Sequence, residues 1–191
     1  MLIRSGSWIG MGMTVLLTVL PLPAQAASCD APEFATLRSS VGHHYKIWSI
    51  VTVESLSSDD QSIWKGKWGS NCPGISPGNF DGTGLPQFAV LLISGPARLV
   101  DSTSRAARRF RLVHVTADQG FKYRLLEAGY AALVPVVRSL PPGTYFNFKP
   151  NSDVRIPFET TTDMVVLEVL EASSVAYLIT ASRIKQLTLS F

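Results

Sequence analysis

Residues 79–92, NFDGTGLPQFAVLL, come closest in this chain to the types and spacing of a known chemistry. Asn79, Asp81, Thr83 and Gln87 carry side-chain oxygens where a calcium-binding loop places its acidic ligands. Calcium takes about six to eight oxygen ligands, several of them carboxylates, whereas only Asp81 is charged here. Because one negative charge compensates poorly for stripping water from a divalent cation, we expect no metal and no cofactor at this loop.

The alternative to a metal site is a structural turn. Gly82 and Gly84 supply backbone conformations that a tight turn needs. Amide, hydroxyl and carboxyl side chains in turns bond to the nearby backbone and to one another. The sequence therefore predicts that the four oxygen-bearing side chains hold the loop in shape.

A second candidate site is the densest group of positive charge, formed by Arg105, Arg108, Arg109 and Arg111. Guanidinium groups at this density could bind an acidic protein, an anionic glycan or a lipid headgroup. The alternative is a solvated loop and an edge strand whose charges prevent sheet-to-sheet aggregation.

Three tryptophans could add a stacking platform for a ligand such as a sugar: Trp48, Trp64 and Trp68. Trp64 and Trp68 are more readily explained as side chains that pack on a sheet.

The sequence shows no assembled catalytic set. His43 and His44 are expected on a solvated segment, and His114 is expected on a strand face, so no histidine is placed beside a nucleophile. Two acidic pairs could in principle serve a glycosidase, Asp59 with Asp60 and Glu168 with Glu171. Neither pair can be placed across a cleft from the sequence, so an enzymatic role is the less favoured reading.

Residues 1–26 have the features of a signal peptide. Arg4 provides the positive charge, an uncharged apolar run follows, and the sequence ends in Ala24-Gln25-Ala26, a small-x-small cleavage pattern. The apolar run is shorter than the ~20 residues that span a bilayer, so we expect cleavage and a periplasmic or secreted protein with no transmembrane segment. Residues 26–29, Ala-Ala-Ser-Cys, match a lipobox poorly because the leading position is usually leucine. Lipidation of Cys29 is left open.

Cleavage would leave 165 residues, 27–191, which suits one globular domain. Loss of Arg4 leaves 16 basic against 14 acidic side chains, a net charge of +2. That charge is too small to indicate a nucleic-acid partner. The chain's only two cysteines, Cys29 and Cys72, are predicted to form a disulfide in an oxidising compartment.

The periodicity of the chain predicts a β-rich fold with one or two helices. A helix is expected over residues 30–40, and strands are expected over 45–53 and 62–68 as a hairpin around a polar turn. Residues 69–84 read as a long loop, and 87–94 as a central strand buried on both faces.

The second half continues with short strands over 110–115, 121–126, 154–158, 164–170, 175–180 and 184–191. Residues 128–140 stay ambiguous because Gly129 and Pro135 weaken a helix of that length. The fold class expected is α+β, a mostly antiparallel β-sheet with one or two short helices packed on it.

The segment CPGISPGNFDGTGLPQFAVLL resembles the loop region of a group of small secreted bacterial proteins of unknown function. These carry a single loop similar to the FG-GAP or integrin-type calcium motif. Residues 55–74 and the closing segment 165–191 also resemble that group, although Phe191 replaces its terminal acid. The resemblance implies an architecture and a secreted location, and it implies no reaction.

These features together predict an exported, non-enzymatic protein that binds another macromolecule, for example as an inhibitor or an immunity-like protein. Its partner would be a protein or an anionic glycan. The rival hypothesis is a periplasmic hydrolase that acts on envelope glycans or esters. The sequence leaves the oligomeric state open.

Overall fold

The computed structural model describes residues 27–99, 106–148 and 154–189, and the elements below are those of the described residues. The predicted signal peptide, Arg105 and Phe191 lie outside them. The described residues form mostly antiparallel β-sheet with two short α-helices, which confirms the predicted α+β class.

The helices are α1 (Ala35–His44) and α2 (Ser58–Trp68), with short 3-10 turns at Pro32–Phe34 and Val53–Ser55. The strands, in chain order, are β1 (Trp48–Ile50), β2 (Ile75–Gly78), β3 (Gln87–Leu99), β4 (Ala106–Ala117), β5 (Phe121–Ala131), β6 (Val136–Leu140), β7 (Gly143–Phe148), β8 (Arg155–Thr160), β9 (Met164–Val169), β10 (Ser173–Ile179) and β11 (Ile184–Leu189).

The strands divide into two antiparallel sheets. The first sheet has the order β1-β3-β4-β5, with β2 also paired to β3, and the second has the order β6-β9-β10-β11-β7-β8. The apolar run predicted over 87–94 is the first half of β3, which lies inside the first sheet and is buried on both faces. This burial explains why the run is continuously apolar rather than alternating.

Strand alternation sends side chains from the first sheet into two apolar cores. One core lies between the two sheets and includes Leu91, Phe110, Leu112, Val165, Leu167 and Tyr177. The other lies between the first sheet and α1 and includes Phe34, Leu37, Val41, Val90, Leu92 and Val113.

A third, smaller core lies on the outer face of the second sheet. Met164, Val166 and Ala176 point away from the first sheet and are packed against Tyr145 and Phe158 from the β7–β8 hairpin. The second sheet is therefore also buried on both faces along β9 and β10.

The hairpin predicted over 45–68 is wrong. Only Trp48–Ile50 pairs as a strand in this segment, and residues 62–68 belong to α2. The Ser57 hydroxyl caps α2 by accepting a hydrogen bond from the Asp60 backbone N–H at 3.2 Å. Because Trp64 and Trp68 are four residues apart, they stack on one helix face, with ring centroids 4.6 Å apart. The same spacing of aromatic residues also fits an alternating strand, which explains the error.

Other corrections lie in segments with little periodicity. The predicted loop 69–84 contains β2, and β7 was not predicted. The ambiguous segment 128–140 contains the end of β5, a turn and β6, with no helix. The predicted helix over 30–40 exists but is shifted toward the C-terminus and continues to His44.

Tyr177 provides a test of the core between the sheets. Its side chain is buried, and its hydroxyl has no hydrogen-bond partner among the described residues. Since a buried unpaired polar group costs about 1–3 kcal/mol, Tyr177→Phe is expected to raise the free energy of unfolding by about 1 kcal/mol. Urea denaturation measures the change.

Tyr145→Phe is the matched control, because the Tyr145 hydroxyl donates a hydrogen bond to the Pro141 carbonyl at 2.6 Å. Its removal is expected to lower stability by about 0.5–1.5 kcal/mol. A loss of stability in Tyr177→Phe as large as in Tyr145→Phe would show that the Tyr177 hydroxyl is bonded.

Candidate functional site

The loop between β2 and β3 brings together the four side chains predicted to occupy calcium-ligand positions. Gly82 and Gly84 adopt positive φ angles of 76° and 74°, which favour glycine and allow the tight turn. Gln87 begins β3 with 2% of its surface exposed. Its Oε1 atom accepts hydrogen bonds from the backbone N–H groups of Phe80 at 3.0 Å and Asp81 at 3.2 Å.

The remaining side-chain groups of the loop bond to one another. The Gln87 amide nitrogen donates to the Asp81 carboxylate, and also to the Thr83 hydroxyl at 3.0 Å. The Thr83 backbone N–H donates to Asp81 Oδ1 at 3.0 Å, and the Gly84 N–H donates to Asn79 Oδ1 at 3.4 Å. The oxygens that a cation would use are therefore engaged by N–H groups of the loop.

His114 on β4 completes this network. The side chain is 4% exposed, and its Nε2 lies 2.9 Å from Gln87 Oε1. Because Oε1 can only accept, Nε2 carries the proton and donates it. Burial lowers the pKa of His114 and is the largest effect; the charge of Asp81 acts against it, and the charge of Arg124 lowers the pKa further. His114 is thus a neutral structural donor rather than a base beside a nucleophile.

Two carboxylates hold the loop at its sides. Burial raises the pKa of Asp81, but hydrogen bonds from Thr83 and Gln87, together with His114, outweigh it and leave that pKa below its usual value. Asp163 was missed by sequence reasoning. Its Oδ2 accepts from the Asn79 backbone N–H at 2.7 Å, and its own N–H donates to the Asn79 carbonyl at 3.2 Å. These bonds tie the loop to the turn that precedes β9.

The depressed pKa of His114 gives an expected pH dependence. The unfolded chain binds a proton near pH 6.5, whereas the folded chain resists it. The contribution of His114 to the free energy of unfolding is therefore retained above pH 6.5 and is lost progressively as the pH falls below 6.5 toward 5. Asp81 does not contribute in this window, because its stabilisation is lost only below its ordinary value of 3.8.

Urea denaturation at pH 7 and pH 5 measures this loss of stability. His114→Leu should weaken the pH dependence, while His43→Gln, at an exposed position, should leave it as in the parent chain. Equal pH dependence in the His114→Leu variant would contradict the assignment.

Among residues 27–99, 106–148 and 154–189, no group of three or more His, Cys, Asp or Glu side chains is arranged to hold a metal ion. Cys29 and Cys72 form a disulfide, with their Cα atoms 4.5 Å apart. The disulfide links the start of the described chain to the segment before β2.

The structure places the predicted arginine cluster on two faces of β4. Arg109 and Arg111 lie on the same side as α1, with their guanidinium carbons 5.5 Å and 4.7 Å from the Trp48 ring centroid. Arg108 lies on the opposite side by strand alternation, where it lines a shallow hollow with Glu54. Arg105 is outside the described residues.

Register across the first sheet aligns Arg109 with aromatic neighbours. Trp48 pairs with Ser94, Ser94 with Arg109, and Arg109 with Tyr130, which forms a row across four strands. Ser94 is small, so Trp48 reaches the arginines across it. Tyr130 is 59% exposed at the end of the row. We call Trp48, Arg109, Arg111 and Tyr130 the arginine–aromatic face.

Among the described residues, no acidic side chain pairs with the positive charge of the arginine–aromatic face. Neither Arg109 nor Arg111 forms an ion pair with any residue that the structure describes. Residues 35–49, which include α1 and the segment beside the face, contain no acid. Burial raises the pKa of the nearby Tyr45, although the charge of Arg111 acts in the opposite direction, so the field of Arg111 reaches that phenol.

The other aromatic candidates are structural. Trp64 is buried and its indole N–H donates to the Asn71 carbonyl at 2.8 Å, while Trp68 packs against the core between the sheets. His44 stacks on Tyr123 with ring centroids 4.3 Å apart at the end of α1.

The two acidic pairs differ in their setting. Asp59 and Asp60 lie in the first turn of α2, where negative charge stabilises a helix. Glu168 and Glu171 line one hollow of about 380 Å³. Arg138 donates a hydrogen bond from Nε to the Glu168 carboxylate at 2.7 Å, so one member of this pair is already bound.

Neither helix in the described part of the chain is long and apolar enough to cross a membrane. Comparisons of the chain with protein-family models, with curated proteins and with solved structures gave no match. The resemblance to secreted proteins with an FG-GAP-like loop therefore stays a prediction.

Proposed function

We propose that this protein is exported and acts without enzymatic chemistry, by binding a negatively charged macromolecule at its arginine–aromatic face. An inhibitor or an immunity-like protein is one concrete form of this role. The disulfide between Cys29 and Cys72 supports an oxidising compartment, in agreement with the signal peptide expected from the sequence.

The single observation that carries the proposal is the position of two guanidinium groups over the Trp48 ring, with no ion-pair partner for either among the described residues. A guanidinium stacked on an aromatic ring keeps its N–H edge available for a carboxylate, sulfate or phosphate. Because the ring limits the freedom of both side chains before binding, less conformational entropy is lost on association. Tryptophan, tyrosine and arginine are also the residues that contribute most binding energy at protein interfaces.

Charge reversal tests the proposal. Arg109→Glu/Arg111→Glu is expected to weaken binding to immobilised poly-glutamate or dextran sulfate by about tenfold or more, since two direct charge contacts become repulsive. Surface plasmon resonance at two salt concentrations measures the binding affinity, and the affinity of the parent chain should decrease as the salt concentration rises.

Arg155→Glu/Lys185→Glu is the matched control. It makes the same change in net charge at exposed positions of the second sheet, and Arg155 also stacks on an aromatic ring, Phe148, at 5.1 Å. An equal loss of binding in both double variants would mean that only net charge matters, and the proposed site would be wrong.

A hydrolase is the second candidate, and one observation favours it. Glu168 and Glu171 share a hollow with Ser173 and Ser174. Because Arg138 engages Glu168, this pair offers one free carboxyl where glycoside hydrolysis needs two. Hydrolysis of an envelope glycan that is abolished by Glu171→Gln would reverse this ranking.

A further inference from the structure

The free edge of the first sheet lies beside the arginine–aromatic face. β5 has eleven residues and is hydrogen-bonded to β4 on one side, with no other strand paired to it within the described ranges. An edge strand presents a row of unpaired N–H and C=O groups to which another chain can add. Edge strands in globular proteins are commonly short or protected, and β5 is about twice the typical strand length.

The two halves of β5 are protected to different extents. In the first half, Lys122 forms an ion pair with Asp118, and Arg124 donates to the Thr180 carbonyl at 2.8 Å. The second half, from Leu125 to Ala131, contains no proline and has Glu127 as its one charged residue. Leu125 is 50% exposed on the same side as the arginines. This second half is therefore the accessible part of the edge.

The small side chain of Ala128 on β5 opens a path from that edge to Arg111. Arg111 pairs in register with Ala128, whose methyl group does not reach over the guanidinium, and Arg109 pairs with Tyr130. An added strand would lie about 4.8 Å beyond β5 and about 10 Å from β4. An extended acidic side chain on that strand and an arginine on β4 can meet across this gap.

Spacing and charge then restrict the added strand. Arg109 and Arg111 are two residues apart, about 7 Å along the strand, which is also the repeat of alternate side chains in any extended chain. Glu127 lies on the opposite face of β5, in register with Leu112. A complementary segment therefore has acids at every second position on the α1 side and neutral or basic residues on the other side.

We propose that the partner is a protein whose acidic segment adds to β5 as an antiparallel or parallel strand and places alternate carboxylates against Arg109 and Arg111. This inference rests on the proposed function and specifies its partner and geometry. Backbone hydrogen bonds to β5 provide affinity that does not depend on charge, and the arginines select the acidic face of the segment.

Synthetic peptides test the strand addition directly. The probe is an eleven-residue peptide, matching β5 in length, in which glutamate and threonine alternate, and fluorescence anisotropy measures its dissociation constant. A peptide of the same composition with its glutamates in one block should bind about tenfold more weakly. Arg109→Glu/Arg111→Glu should weaken binding of the alternating peptide by a similar factor, while Arg155→Glu/Lys185→Glu should leave its dissociation constant unchanged.

N-methylation separates strand addition from charge alone, because it removes backbone donors without changing charge. Only alternate N–H groups of an added strand face β5. Methylating the peptide nitrogens that face β5 should abolish binding. Methylating the alternate nitrogens, which face away from β5, should preserve it. Amide exchange of residues 125–131 should slow on binding.

The remaining outcomes each overturn part of the inference. Equal binding of both methylated peptides, with the arginine dependence kept, would exclude strand addition and leave the proposed function standing. Binding of an anionic glycan but of no acidic peptide would exclude a protein partner. Acidic peptides and glycans that bind regardless of Arg109 and Arg111 would exclude both proposals. A dimer in light scattering that protects residues 125–131 would assign the edge to a second copy of this chain.

Discussion

Gln87→Leu is expected to lower the free energy of unfolding by about 4 kcal/mol, because each buried polar group left unpaired costs about 1–3 kcal/mol. Leucine has a similar size but accepts and donates no hydrogen bond. The Phe80 N–H, the Asp81 N–H and the His114 Nε2–H would all lose the acceptor that they share. Asp81 would also lose a donor to its carboxylate. Because Asp81 is partly exposed, the expected loss in the free energy of unfolding is smaller than the sum of four penalties for fully buried unpaired groups.

Urea denaturation at pH 7 measures this effect. Gln186→Leu is the matched control, since Gln186 is an exposed strand glutamine on β11, and its replacement should change stability by less than about 0.5 kcal/mol. A loss below about 1 kcal/mol in Gln87→Leu would show that this network contributes little, and that the loop keeps its shape through its glycines and Asp163.

Removal of the disulfide is the second large effect. The bond closes a separation of 43 residues, and the chain-entropy relation assigns a loop of that length about 4 kcal/mol. Cys29→Ala/Cys72→Ala is therefore expected to lower the free energy of unfolding by about that amount. Alanine is chosen because Cys72 is buried, and serine would place a hydroxyl in an apolar core.

The parent chain in reducing agent is the control for this variant. Both samples lack the covalent link, so their denaturation midpoints should agree once the small difference in side-chain packing is allowed for. A double variant as stable as the oxidised parent chain would mean that local contacts already fix this region. One such contact is the hydrogen bond from the Cys72 N–H to the Ala27 carbonyl at 2.9 Å.

Local patterns were most informative where burial is uniform along an element. The run over 87–94 was identified as a doubly buried strand because residues 88–93 within it are all apolar. Residues 62–68 were misassigned because the tryptophan spacing fits both a strand and a helix, and the deciding cap at Ser57 lies outside that segment. β2 and β7 were missed because Pro77, Gly78 and Gly143 make their ends resemble turns.

The candidate site was less accessible to sequence reasoning. The four arginines looked like one cluster along the chain, yet alternation separates Arg108 from Arg109 and Arg111. The contact with Trp48 depends on strand register across β1, β3 and β4, which brings together residues about sixty positions apart. No local sequence pattern indicates that Trp48 and these arginines lie in contact.

The sequence by itself determined the α+β class, the strand at 87–94, the pairing of the two cysteines and the single acid of the calcium-like loop, because each depends on composition or on neighbours along the chain. Only the tertiary structure decided that His114 donates to Gln87 and that Asp163 anchors the loop. It also decided that two arginines, without an ion pair among the described residues, lie over Trp48 near β5. These arrangements arise from side chains that are distant in sequence and meet only when the strands take their register.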